Sequence, residues 1–152
     1  MKENPRGKIG LESDTELVKR LLMENYGHAP ELVYRISGRG HRVYAWKPCP
    51  LEVRDVERRG VYFGRVESDG IRLSIEGSFL VGPGATRNVV RLDDERARRY
   101  LAGENVEITE EIHGWVIVAW RDYFLGSAKA KDGRLMNYIP KERRLRFKKS
   151  LK

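Results

Sequence analysis

NVVRLDDERARRYLAGENV, residues 88–106, and GWVIVAWRDYFLGSAKAKDGRLMNYIP, residues 114–140, carry the strongest structural signals in the chain. In the first, Asp93 is a helix cap, Asp94 and Glu95 occupy the first turn, Arg98 and Arg99 the last, and Gly103 lies just past Ala102. Acidic residues at the positive end of a helix, basic residues at the negative end and a following glycine predict a short, well-bounded helix. Around it, ENVEI, GWVIVAW, YFLGSAKA and RLMNYI are short runs rich in β-branched and aromatic residues, separated by turns at His113-Gly114, Arg121-Asp122 and Asp132-Gly133. Many short strands with one small helix predict a closed or nearly closed barrel.

Upstream, VYFGRVES and IRLSI flank Asp69-Gly70, the signature of a tight hairpin. The following SFLVGPGATRNVVRL is broken by Gly82-Pro83-Gly84, where glycines can take positive φ or let another backbone approach closely. Near the start, Ser13 or Asp14 can cap a helix whose Leu17, Val18, Leu21 and Leu22 share one face and which Gly27 ends. LVYRIS and HRVYAW around Gly38-Arg39-Gly40 form a second hairpin. The prolines of Lys47-Pro48-Cys49-Pro50 and the charged LEVRDVERRG then predict a linker. The expected architecture is α+β: a small N-terminal αβ domain over residues 1–57, then a β-rich pseudobarrel over 58–152.

With 152 residues, one compact domain or two very small ones fit, and a large multidomain enzyme does not. Thirty Lys and Arg against 22 Asp and Glu give +8, which points to an anionic partner, nucleic acid before a membrane surface. The excess is uneven: residues 1–60 carry +3, residues 61–140 carry −1, and residues 141–152, KERRLRFKKSLK, carry +6. Alternation from Arg144 to Phe147 permits a last strand with Arg144 and Arg146 facing phosphates; a frayed, solvated terminus is the alternative. Cys49 has no partner for an internal disulfide, there is no Cys/His quartet for zinc, and the N-terminus lacks an apolar signal core, so a reducing cytoplasm is expected. The lack of Gln and the abundance of Arg, Glu and Val suggest a hot environment.

Residues Asn88 to Arg144 resemble the C-terminal PUA-like RNA-binding domain of the Sun/Fmu-type RNA 5-methylcytosine methyltransferases. The resemblance is carried by Asn88-Val89-Val90, Tyr100-Leu101-Ala102-Gly103-Glu104, Gly114-Trp115, Leu125-Gly126, Lys129, Gly133 with Leu135, and Asn137-Tyr138 leading to Pro140-Lys141. The N-terminal helix and hairpin look like the small αβ element that precedes such domains, a pre-PUA-like domain. The resemblance implies RNA binding without chemistry, because the family's S-adenosylmethionine-binding domain has no counterpart in some sixty preceding residues. Pro48-Cys49 copies only the dipeptide of that family's active site. No G-x-G-x-x-G follows a strand to cradle a cofactor, and no cofactor or metal is expected.

The similarity and the local charge both point to Lys129, Lys131, Arg134, Asn137 and Lys141, with Arg143, Arg144 and Arg146 in the tail, as RNA contacts. Arg87 and Asn88, after the glycine loop, are further candidates. For Asn137 a turn-stabilising role is an equal alternative, and for Arg87 a solvated surface role. Trp115, Trp120, Tyr123 and Phe124 fit core packing better than base stacking, and His28, His41 and His113 fit turns. The expected function is a stand-alone RNA-binding protein recognising structured rRNA or tRNA, accessory to a separate RNA methyltransferase or acting in ribosome assembly. The alternatives are a biogenesis factor working through a ribosome-assembly protein, and a small S-adenosylmethionine-dependent RNA methyltransferase. No membrane partner is expected.

Overall fold

The computed structural model describes residues 13–48 and 60–146. Helix α1, Asp14–Tyr26, starts at Ser13 in a full capping box with Glu16 and ends at Gly27, whose φ of 77° is the left-handed conformation glycine tolerates. Its buried Leu17, Val18, Leu22 and Tyr26 cover a four-stranded antiparallel meander of β1 (Val33–Ile36), β2 (Arg42–Trp46), β3 (Val61–Glu67) and β4 (Gly70–Leu73). The Asp14 carboxylate accepts from the Ile36 amide at 2.9 Å, and the Thr15 hydroxyl accepts from Tyr34 N at 3.0 Å, so the first turn of α1 is stitched to β1. Both expected hairpins form.

The expected boundary between residues 57 and 58 lies outside the described residues, as do Cys49 and the linker from Cys49 to Arg59. On either side of it the backbone is one sheet, since β2 pairs with β3 from Arg42↔Arg65 to Ala45↔Val61.

Two features of the middle segment depart from expectation. Residues Ile75–Val81 form a helix, α2, capped by the Ser74 hydroxyl, which accepts from Gly77 N at 2.9 Å. Seven residues containing a glycine are too short for a periodic signal, so packing against β3 and against the strand Tyr123–Lys131 supplies the helix's stability. Gly82-Pro83-Gly84 makes a 3-10 turn, and Gly82 has φ −53°. Here glycine permits close approach: a Cβ on Gly82 would sit 2.4 Å from the Phe124 ring, and one on Gly84 2.6 Å from the His28 ring.

The second sheet has the order β5-β7-β8-β9-β6, with β5 (Val89–Arg91), β6 (Val106–Glu107), β7 (Gly114–Trp120), β8 (Tyr123–Lys131) and β9 (Arg134–Met136). It curls as a half-barrel, and the fold is α+β. β5 and β7 run parallel, with helix α3 (Asp94–Leu101) in the connection between them, and α3 is capped by Asp93 as expected. No strand forms over residues 144–146; Lys141–Arg143 is a 3-10 turn and Arg144 follows it in extended conformation.

β7 explains the run WVIVAW. Ile117 joins the α1 core with Phe63, Ile71 and Leu73, whereas Val116 and Val118 join a second core with Tyr100, Val106, Leu125 and Leu135. Successive side chains leave a strand on opposite faces, so a strand between two cores must be apolar on both. A buried polar knot ties the halves together: the Tyr26 hydroxyl donates to Ile71 O at 2.8 Å and lies 3.0 Å from Ser127 Oγ, which accepts from Leu73 N at 2.9 Å.

Burial pushes the Tyr26 hydroxyl from 10.0 up to about 12, despite the opposing hydrogen bonds from Ser127 and Asn25. Burial raises Tyr34 and Tyr100 as well. In the unfolded chain these phenols ionise near their ordinary value while the native ones stay neutral. Stability is therefore fully present below pH 10.0 and is lost as pH rises towards about 12. Tyr26 alone accounts for roughly 2–3 kcal/mol across that window. Denaturant melts at pH 9 and pH 11.5 should show the loss, with most of the tyrosinate absorbance from the buried rings appearing as the chain unfolds. Unchanged stability at pH 11.5 would contradict these buried phenols.

Candidate nucleic-acid interface

The hairpin of β8 and β9 turns at Asp132 and Gly133, with φ of 54° and 76°, which matches the right-handed twist of the flanking strands. Register places Lys131 opposite Arg134 and Lys129 opposite Met136. Directly paired residues share a face, so Lys129, Lys131 and Arg134 emerge on the same side of the sheet. Lys131, Arg134, Lys141 and Arg146 are exposed and have no side-chain partner among the described residues.

The other expected contact residues are engaged by the protein itself. Arg87 donates to the carbonyls of Met23 and Glu24, Asn88 Nδ2 donates to Asn25 O, and the Thr86 amide donates to Tyr26 O. The last turn of α1 contains no basic residue, so this segment supplies from a distance both the donors and the positive charge its C-terminus lacks. Asn88 has φ 59°, a conformation asparagine tolerates, and its carbonyl accepts from Ile117 N at 2.8 Å.

Asn137 is a clamp. Its Nδ2 donates to Tyr100 O and Glu104 O, each at 2.8 Å, and its Oδ1 accepts from Ile139 N at 2.8 Å. Arg144 Nε donates to Ile139 O at 3.0 Å, and Arg143 pairs with Glu76 at 3.0 Å. Lys129 Nζ donates to Asp69 Oδ2 at 2.7 Å and is about one-third exposed.

Asp69 is the centre of a group that the sequence did not reveal. Its other oxygen accepts from Trp115 Nε1 at 2.8 Å, and the Lys129 hydrogen bond, aided by Trp115, holds its carboxyl below its ordinary range. Lys129 Nζ stands 5.2 Å from the centre of the Trp115 ring, and the Arg72 guanidinium lies 4.9 Å from that of Tyr138. Trp115 and Tyr138 meet edge to face at 5.1 Å. Trp115 is buried, as core packing requires, but Tyr138 is 42% exposed. Arg72 comes from β4 and Tyr138 from beyond β9, so only the approach of the two sheets brings them together. The outward position of Arg72 between inward Ile71 and Leu73 is the one sequence signal that could have marked it.

Between the sheets this group borders a cleft of about 120 Å³, lined among others by Tyr62, Ser74, Ser127, Tyr138 and Arg143. The remaining aromatics divide. Phe124 packs edge to face on Phe79, and Trp120 stacks on Tyr123 at 5.5 Å near the hairpin end of β7 and β8. The described residues include no group of three or more His, Cys, Asp or Glu able to hold a metal ion, and no helix long and apolar enough to cross a membrane.

Residues 87–145 match the family described as the methyltransferase RsmF PUA domain. Over 133 residues, 85% of this chain, the sequence is 27% identical to the ribosomal RNA small subunit methyltransferase F of Aeromonas salmonicida (strain A449). The chain spans 28% of the length of that relative. The similarity to a PUA-like domain of the RNA methyltransferases, expected from Asn88 to Arg144, is thus found by direct comparison, and the longer alignment extends it N-terminal of Arg87.

Proposed function

We propose that this chain binds structured rRNA or tRNA through its PUA-like half and serves RNA modification or ribosome assembly, positioning RNA for chemistry performed by a methyltransferase. The observation that carries the reading is the match of residues 87–145 to a PUA domain of an rRNA methyltransferase family, on which Lys131, Arg134 and Lys141 stand as exposed cations, with Arg146 just beyond it. Phosphate contacts of this kind set the register of an RNA without carrying out a reaction. The single cysteine and the proposed anionic partner support a cytoplasmic setting. Asn137 and Arg144 hold the backbone beside this surface in place, Arg87 and Asn88 secure the end of α1 instead, and Lys129 and Arg143 reach the surface from within ion pairs.

Fluorescence anisotropy against a tRNA, a structured rRNA fragment and a DNA duplex, across a salt series, tests this. The full chain should prefer RNA. Replacing Lys131, Arg134, Lys141 and Arg146 together with alanine should flatten the log–log salt dependence by about 0.7–0.9 for each phosphate that is no longer neutralised. Weak, equal binding to every polyanion, with a slope indifferent to the four substitutions, would overturn the reading.

A further inference from the structure

We propose that the cleft between the two sheets seats the base of one unpaired nucleotide of the bound RNA, stacked on Tyr138, and does so with little preference among bases. The inference rests on the RNA-binding reading and adds a site to it.

Tyr138 is placed for stacking before any ligand arrives. Trp115 meets its ring edge to face, the Arg72 guanidinium lies 4.9 Å from its centre, and yet 42% of the residue is exposed. A ring already held in one orientation loses little freedom on binding. Tyr62, 39% exposed, lines the same cleft from β3. Exposed tyrosines beside guanidinium groups are the chemistry that recognises unstacked bases. The volume, about 120 Å³, lies well under the roughly 300 Å³ at which sites for whole small-molecule ligands begin, so the cleft suits a ring rather than a complete cofactor.

The walls favour stacking over reading of base edges. Ser74 Oγ donates to the Tyr62 and Phe63 carbonyls and accepts from Gly77 N, and Ser127 Oγ is held by Tyr26 and Leu73 N. Neither hydroxyl is free to discriminate one base from another. The cations at the rim retain donors: among the described residues Arg72 commits Nε to Glu67 at 3.0 Å, and Arg143 commits Nη1 to Glu76 at 3.0 Å. Each guanidinium carries five N–H groups, so a phosphate can be bound beside the existing partner.

The test uses the full chain and two RNA hairpins, one with 2-aminopurine at an unpaired loop position and one closed into a nearly continuous duplex. The loop probe should lose fluorescence on binding. Tyr138→Ala should weaken loop binding roughly five- to a hundred-fold, the range of a single base–aromatic stack, while Tyr138→Phe retains it and duplex binding stays constant. Exchanging the loop base should change affinity by less than the tyrosine does. Should Tyr138→Ala fail to fold, Tyr62→Ala and the quenching by the unaltered chain decide the matter. Loop binding indifferent to both tyrosines, or no quenching, overturns the cleft assignment and leaves RNA binding standing. Binding to neither hairpin removes both.

Discussion

Gly77→Ala should destabilise the fold by about 3 kcal/mol or more, at the upper end of what overpacking usually costs. A Cβ on Gly77 would lie 2.1 Å from Phe63 O and 3.1 Å from Phe63 C, backbone atoms that cannot swing aside as a side-chain end would. Phe63 O also accepts from Ser74 N at 3.0 Å and from the Ser74 hydroxyl at 3.1 Å, so moving it breaks the N-terminal anchor of α2 as well. Alanine favours helix over glycine by roughly 1 kcal/mol, and the clash outweighs that gain. Gly40→Ala is the control: it has φ 73° and nothing within 4 Å of the added methyl, so only backbone strain of roughly 1–2 kcal/mol applies. Urea denaturation of both variants distinguishes the two costs. Equal destabilisation would mean that α2 is not seated on β3. Because Ser74 and Ile75 line the cleft, a shifted α2 should also weaken loop binding.

Asn137→Ala should cost about 2–3 kcal/mol, since two backbone groups are left without their partner and a third loses one of its donors, each lost bond weighing roughly 1 kcal/mol and more where water cannot replace it. Beyond the end of α3, the Glu104 carbonyl would be deprived of its donor and Ile139 N of its acceptor, while Tyr100 O would retain the Gly103 amide at 2.9 Å. Asn137→Asp should be at least as severe, because the group that donates to two carbonyls becomes an acceptor facing them. The distinguishing readout is the salt dependence of RNA binding, which should stay as in the unaltered chain once measured well below the melting temperature. Normal stability with weakened RNA affinity would instead make the amide a direct RNA ligand. The charged positions behave in the opposite way: substituting Lys131 or Arg134 should alter the slope and leave the melt nearly unchanged.

The helices of residues 14–26 and 94–101 were legible because capping is local: Ser13 with Glu16, and Asp93 with the charges of its own helix, act within one turn. The hairpins were legible for the same reason, through Asp69-Gly70 and Asp132-Gly133. Helix α2 was not, since a seven-residue segment has too few turns to show a period and is held by strands far away in the chain. Three of the expected contact residues share one physical lesson. A sequence reports that Arg87, Arg144 and Asn137 carry donors but not where those donors point, and each points at a backbone carbonyl.

Composition, local capping and turn chemistry were therefore enough to establish the α+β class, the strand-rich C-terminal half and the positive charge at the chain's end, while the likeness to a PUA-like RNA-binding domain was carried by family motifs spread from Asn88 to Arg144. The first three properties depend on residues within a few positions of one another. Tertiary structure alone decided that β7 lies between two cores, that Arg87 completes a helix about sixty residues earlier, and that Arg72 and Tyr138 meet across two sheets to border a cleft. Such pairings depend on how sheets curl and pack, and that geometry is set by the summed burial of many side chains rather than by any short stretch of the chain.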